Sequence, residues 1–180
     1  MSMNNLRTFV VYVEDKPGVL NRVASLFRRR NFNIHSLNVG TTHEPGVSRM
    51  TIVVEADADK AKRIEANLYK IVNCLWVDDI TESDSINRVL ALIKIAVSPE
   101  ERAQALQVVD VFRARALDIG PEHLVIEVSG APGKIDGIVN ALRPYRILEM
   151  VQTGTVAMTR GADHREKGPA NIKAGPLRVA

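Results

Sequence analysis

Asp15 stands just before Pro17 and Gly18 in the stretch EDKPGVL, residues 14–20. Proline presets the backbone at the start of a helix, and glycine lets a ligand or a neighbouring chain approach without a Cβ in the way. The backbone amides of Gly18, Val19 and Leu20 open the helix that follows, and such amides attract anions. A carboxylate beside an anion site suits a ligand carrying both charges, its carboxylate on the amides and its ammonium on Asp15. A free α-amino acid is such a ligand. Asn33, at the start of the second strand, can accept from an ammonium or donate to a carboxylate. Val19, Leu20 and Ile34 would add a small apolar surface. The plain alternative is that Asp15 caps the helix and the turn holds nothing.

No other stretch supplies a reactive constellation. Cys74 has no second cysteine, and its strand setting reads as a buried structural thiol. His35 and His43 are separated by eight residues, about 26 Å of strand, too far to share a metal. GAPGKI, residues 130–135, superficially resembles a phosphate loop, but it has two residues between its glycines where that motif has four, and Ile135 where it has Ser or Thr. It reads as a turn into a helix. Asp78–Asp79 and Glu100–Glu101 are sequence neighbours and read as solvated charges, and Arg28–Arg30 as an exposed helix end. RNA binding on a four-stranded sheet needs stacked aromatics, whereas Phe9 and Tyr12 are three apart and face opposite ways.

The spacing supplies the same six elements twice to position these residues. LRTFVVYVE is β-branched and aromatic, a strand. Apolar residues at 19, 20, 23, 24, 26 and 27 predict a helix, ended at Asn31, which tolerates the left-handed conformation. NIHSLNVGT and VSRMTIVVEA alternate at period two around the turn THEPG. DADKAKRIEANLYKI carries Ala61, Ile64, Leu68 and Ile71 at helical spacing, and VNCLWVDDIT closes the unit as a strand. Beyond the polar break ESDS, INRVLALIKIAV predicts a strand. SPEERAQALQVVDVFRA predicts a helix with Ser98 at the cap, Pro99 at its first position and Glu101 three after the serine. RALDIG and EHLVIEVSG read as strands, GKIDGIVNALRP as a helix, and YRILEMVQTGTVAMT as one final strand.

This doubled βαββαβ order predicts an α+β chain of two ferredoxin-like sandwiches in tandem. The expected divisions are residues 1–81, a linker at 82–85, residues 86–160, and an unfolded tail at 161–180. Helices on one side leave a bare sheet face, and FVVYV is apolar on both. That face or the strand edges are expected to meet another subunit.

Composition bounds the function. Of the 180 residues, 46% are hydrophobic and 25% charged, the balance of a soluble globular protein. The longest apolar runs fall far short of the ~20 residues of a membrane span, MSMNNLR lacks a signal-peptide pattern, and a single cysteine fits a reducing compartment. A cytoplasmic protein without membrane contact is expected. The basic pI near 9.2 invites a nucleic-acid partner. However, five of the 24 basic and two of the 21 acidic side chains lie from Arg160 onward, so the rest of the chain holds 19 of each sign. The body is neutral, and no nucleic-acid partner is expected.

From EDKPGVL through SRMTIVV the chain resembles the N-terminal ACT domain of the regulatory (small) subunit of acetolactate synthase, also called acetohydroxyacid synthase. ALDIGPEHLVIEVSGAPGKIDGIVNALRPY and TGTVAMTRG are similar to that family's second domain, so the likeness runs from about Leu6 to Gly161. The resemblance implies a non-catalytic subunit that binds and activates a catalytic subunit in valine, leucine and isoleucine biosynthesis. It implies feedback inhibition by valine or another branched-chain amino acid. It implies no cofactor in this chain, and a catalytic partner that uses thiamine diphosphate, Mg²⁺ and FAD to condense two pyruvates, or pyruvate with 2-oxobutyrate. It further implies a homodimer through the ACT domain, with effector between the helix-opening turn of one chain and the second strand of the other. Asp15, Lys16, Pro17, Gly18, Val19 and Leu20 would form one wall, and Asn33 and Ile34 the other, with His35 beside them.

The chain departs from the family pattern at Asn31, often glycine, and at His35, often an acid; His35 would lend inhibition a pH dependence. Two rivals remain. A stand-alone ACT-type amino-acid sensor would not co-purify with a thiamine-dependent partner. A small enzyme on this scaffold would need a His, Asp or Arg constellation on the open sheet.

Overall fold

The computed structural model describes residues 6–161, which fall into two compact units. One runs through Ile86 and resumes at Ala157; the other spans Asn87–Val156. Apart from Gly161, the expected tail lies outside the described residues.

The first unit comprises β1 (Leu6–Glu14), α1 (Val19–Arg29), β2 (Ile34–Thr41), β3 (Val47–Glu55), α2 (Ala58–Leu68) and β4 (Cys74–Asp79). Its sheet order is β2-β3-β1-β4, every neighbouring pair antiparallel. Alternation puts Phe9, Val11 and Val13 of β1 on the helix side. There they pack with Val19, Val23, Leu26 and Phe27 of α1 and with Ala61, Ile64 and Leu68 of α2. Burying each of the larger of these side chains stabilises the fold by about 1.5–3 kcal/mol. Asp57 starts α2 by accepting from the Lys60 amide at 2.8 Å. Asn31, at φ 55°, ends α1 as the sequence predicts, and the Phe32 amide reaches back to the Phe27 carbonyl at 3.0 Å.

The second sheet face is not as bare as expected. Val10 is buried there against Ile80 and Ala157, with Tyr12 packed alongside. Arg49 lies over the Tyr12 ring and donates to its hydroxyl at 3.2 Å, to Thr51 Oγ1 at 3.1 Å and to the Ala157 carbonyl. Ala157 thus covers apolar surface that the sequence pattern left for another subunit.

The second unit comprises β5 (Ser85–Ala96), α3 (Arg102–Val111), β6 (Arg115–Ile119), β7 (His123–Gly130), α4 (Pro132–Ala141) and β8 (Ile147–Gln152). Its order, β6-β7-β5-β8, repeats that of the first sheet, and β9 (Val156–Thr159) pairs with β5. The predicted single final strand is therefore two. At the break the Thr153 hydroxyl accepts the Leu90 amide at 3.1 Å while the Thr153 amide still donates to the Leu90 carbonyl at 2.9 Å, so a side chain takes one of the two ladder bonds there. Regular α3 starts at Arg102, later than predicted, although Ser98 and Glu101 do exchange capping bonds at 3.2 and 3.4 Å.

Candidate functional site

The turn between β1 and α1 is held by backbone bonds from its own neighbours. The Glu14 amide donates to the Asn73 carbonyl at 2.9 Å, the Asp15 amide to the Gly46 carbonyl at 2.8 Å, and the Lys16 amide to the Glu14 carbonyl at 3.0 Å. Gly18 occupies the cap of α1 at φ 82°, ψ −4°, and no side chain caps the helix. The alternative in which Asp15 caps α1 is thereby overturned. A Cβ at Gly18 would meet nothing within 4 Å, so it is the left-handed backbone that demands glycine.

Two corrections follow for the expected wall. The Val19 amide is spent on the Lys16 carbonyl at 3.3 Å, and the Val19 side chain is core, 2% exposed. The amides of Gly18, Leu20 and Asn21 remain without a partner among the described residues. Around them Asp15, Lys16 and Pro17 are exposed, and the Leu20 side chain is 44% exposed. The surface offers open amides, a carboxylate and one apolar side chain.

A polar chain fixes this surface from behind. Glu14 Oε2 accepts from Asn73 Nδ2 at 2.6 Å and from Lys16 Nζ at 2.9 Å, and Asn73 Oδ1 accepts from Arg22 Nη1 at 2.6 Å. Asn73 is buried. It ties the end of β1, the first turn of α1 and the loop before β4 into one unit. Hydrogen bonds from Lys16 first and Asn73 second hold the Glu14 carboxyl below its ordinary value of 4.5.

Asn33, Ile34 and His35 lie elsewhere. Ile34 pairs with Val54, which pairs with Arg7, whereas Glu14 pairs with Val47 at the other end of the same strands. The seven residues from Arg7 to Glu14 span about 24 Å of strand. The suggestion that Ile34 lies near Val19 and Leu20 within one chain is therefore wrong. β2 is an edge strand. His35 is the extra residue of a bulge in it, since Ile34 and Ser36 face the adjacent Val54 and Val53. Both Asn33 and His35 are exposed.

Comparisons with known proteins place the chain in a family. Residues 9–75 match the family described as "AHAS small subunit-like ACT domain", and residues 88–161 match "Small subunit of acetolactate synthase". The chain belongs to the acetolactate synthase small-subunit family. The probable acetolactate synthase small subunit of Archaeoglobus fulgidus is 46% identical over 154 residues, 86% of this chain and 96% of that one. The acetolactate synthase small subunit of Mycolicibacterium smegmatis is 44% identical over 86% of this chain and 91% of its own length. The crystal structure of the Thermotoga maritima small subunit superimposes with a TM-score of 0.81 at 36% identity, covering 87% of this chain and 98% of that one. The first unit is an ACT domain, and the turn at Asp15–Gly18 opens its first helix.

Beyond the ACT turn the other candidates settle as structural. Burial pushes the Cys74 thiol up to about 11, an unreactive setting. Lys134 of GAPGKI spends its ammonium on the Ser129 carbonyl at 2.9 Å. Asp79 is not simply solvated: it faces Arg7 at 3.4 Å and accepts from the Thr81 amide at 3.1 Å. Among the described residues no group of His, Cys, Asp and Glu is placed to hold a metal, and no helix is long and apolar enough to cross a membrane. Sequence reasoning missed Asn73 and Arg22. The available signal was a lone polar residue inside VNCLWV, a run otherwise read as strand.

Proposed function

We propose that this chain is the non-catalytic regulatory subunit of a cytoplasmic acetolactate synthase in branched-chain amino-acid biosynthesis. It activates a catalytic large subunit and confers feedback inhibition by valine bound across two paired ACT domains. The carrying observation is the divided site. Open amides and Asp15 sit at one end of the sheet, Asn33 and His35 at the other, on the edge strand β2. Two β2 edges meeting antiparallel about a two-fold axis would bring the Asn33 end of one chain beside the turn end of the other. The bond from the Asp15 amide to Gly46 draws the turn toward that side, since Gly46 lies in the β2–β3 connection.

Valine then lays its carboxylate on the Gly18, Leu20 and Asn21 amides, its ammonium on Asp15, and its isopropyl group against Leu20. Effector that binds one subunit arrangement better shifts the assembly toward it, and the catalytic partner prefers another. The thiamine diphosphate, Mg²⁺ and FAD of the reaction are assigned to that partner. The test is calorimetric titration of the purified chain with valine, leucine and isoleucine, alanine serving as control, alongside activation of the catalytic subunit. Saturable valine binding lost in Asp15→Ala, with activation retained, is expected. Asp15→Ala protein still inhibited at unchanged valine concentrations would sink the assignment.

A further inference from the structure

The ACT domain carries a second, cationic groove where α1 and α2 end. A cleft of about 470 Å³ is lined by Leu26, Arg29, Arg30, Asn67, Lys70 and Ile71. Arg30 Nη2 donates to Asn67 Oδ1 at 3.3 Å, and Lys70 Nζ donates to the same oxygen at 3.4 Å. The Asn67 amide is turned by its bond from Nδ2 to the Arg63 carbonyl at 2.6 Å, which leaves Oδ1 facing the two cations. None of Arg29, Arg30 and Lys70 has an acidic partner among the described residues. Helix-dipole compensation accounts for Arg28 and Arg29 in the last turn of α1. It also favours Arg30, the C-cap of α1, and Lys70, next to the C-cap of α2, but it does not require the two to converge on one atom. A neutral amide oxygen cannot offset two positive charges drawn together.

We propose that this groove binds a phosphate-bearing small molecule, its phosphoryl group on Arg30, Lys70 and Arg29 and its apolar body over Leu26 and Ile71. A dianionic phosphoryl group offsets both converging cations at once, where a carboxylate offsets one. Its oxygens also accept the two-pronged hydrogen bonding of a guanidinium. The groove belongs to the far end of α1 from the ACT turn, so its occupancy is separable from that of the effector site.

The test is calorimetric titration of the full chain at constant ionic strength with phenyl phosphate and with inorganic phosphate. Saturable binding of phenyl phosphate, tighter than of inorganic phosphate, is expected. Arg30→Gln and Lys70→Gln should each raise its Kd by roughly tenfold or more, while Arg28→Gln, outside the groove, leaves it unchanged. Matching thermal midpoints show that the variants fold. Equal affinity for the two probes would support the anion site and assign it to free phosphate. No saturable heat, or the same Kd in Arg30→Gln and Lys70→Gln as in the parent, overturns the proposal and leaves the groove to an acidic face of a protein partner.

Discussion

Two variants that are each blind to effector should recover binding when mixed. Within one chain Asp15 and the Asn33 end of β2 are separated by about 24 Å of strand, so a ligand of amino-acid size cannot touch both. If valine lies between one chain's Asp15 and its partner's Asn33, an Asp15→Ala homodimer lacks the ammonium acceptor at both sites. An Asn33→Ala homodimer lacks the opposite wall at both. Either change removes a hydrogen bond to a charged group, worth about 1.5–3 kcal/mol. That raises Kd roughly ten- to a hundredfold. A mixed dimer joins intact Asp15 from one chain to intact Asn33 from the other, giving one complete site and one doubly impaired. Random reassortment puts half the chains in mixed dimers, so roughly a quarter of all sites regain parental affinity. The assay is valine calorimetry on each variant alone and on a mixture whose subunit exchange is verified by differential tags. A mixture that exchanges fully yet binds no better than its components refutes a shared site, because a site built within one chain is never repaired by mixing.

Four further outcomes are expected. Asn73→Ala strips Glu14 and Arg22 of their shared partner and should cost about 1–3 kcal/mol in urea unfolding, as well as weakening valine binding; an unchanged midpoint would show that the polar chain is idle. Glu14, held below 4.5 in the fold, adds stability above that value and loses it as pH falls through its lower folded value. Glu14→Gln should therefore flatten the acid limb of the stability curve, and a variant as acid-sensitive as the parent counts against it. Gly18→Ala should cost about 1–2 kcal/mol from its left-handed backbone alone, read by thermal unfolding; no loss would mean the turn relaxes freely. Cys74, half-buried and with its thiol pushed up to about 11, should react with a thiol reagent at pH 8 only slowly until the chain unfolds, and rapid labelling of folded protein would contradict that setting.

Local pattern carried the fold well because most of its determinants are local. The run of buried positions 19, 23, 26 and 27 on α1 and the positive φ of Asn31 follow from side-chain spacing and from what an asparagine tolerates. The misreadings share a different cause. The split of the final strand turns on Thr153 meeting Leu90, 63 residues away, and the covering of Val10 on Ala157 returning to the first sheet. No window of the sequence contains both partners. Val19 was read as a site residue because it adjoins the amides, yet helical phase turns its side chain into the core. Asn33 was placed near the turn because β1 and β2 both border α1 in sequence. The order β2-β3-β1-β4 makes those strands parallel to each other, so their beginnings lie together and the turn lies at the far end.

The repeat itself sharpens where effector should bind. Both units put a proline in the turn after their first strand, Pro17 and Pro99. In the second unit the chain consumes its own donors: the Ser98 amide goes to Glu101, the Glu101 amide to the Ser98 hydroxyl and the Arg102 amide to the Ser98 carbonyl. Glu100 is held below its ordinary value by its own backbone amide and by Ser98. A carboxylate arriving there would have to displace carboxylates already bonded. In the ACT unit a left-handed glycine replaces the capping side chain, and the Gly18, Leu20 and Asn21 amides stay open. Duplication of the fold therefore does not duplicate the site. If the ACT turn binds valine as proposed, one valine per chain is expected, and a measured stoichiometry of two would mean that the capping bonds of Ser98 and Glu101 yield to ligand.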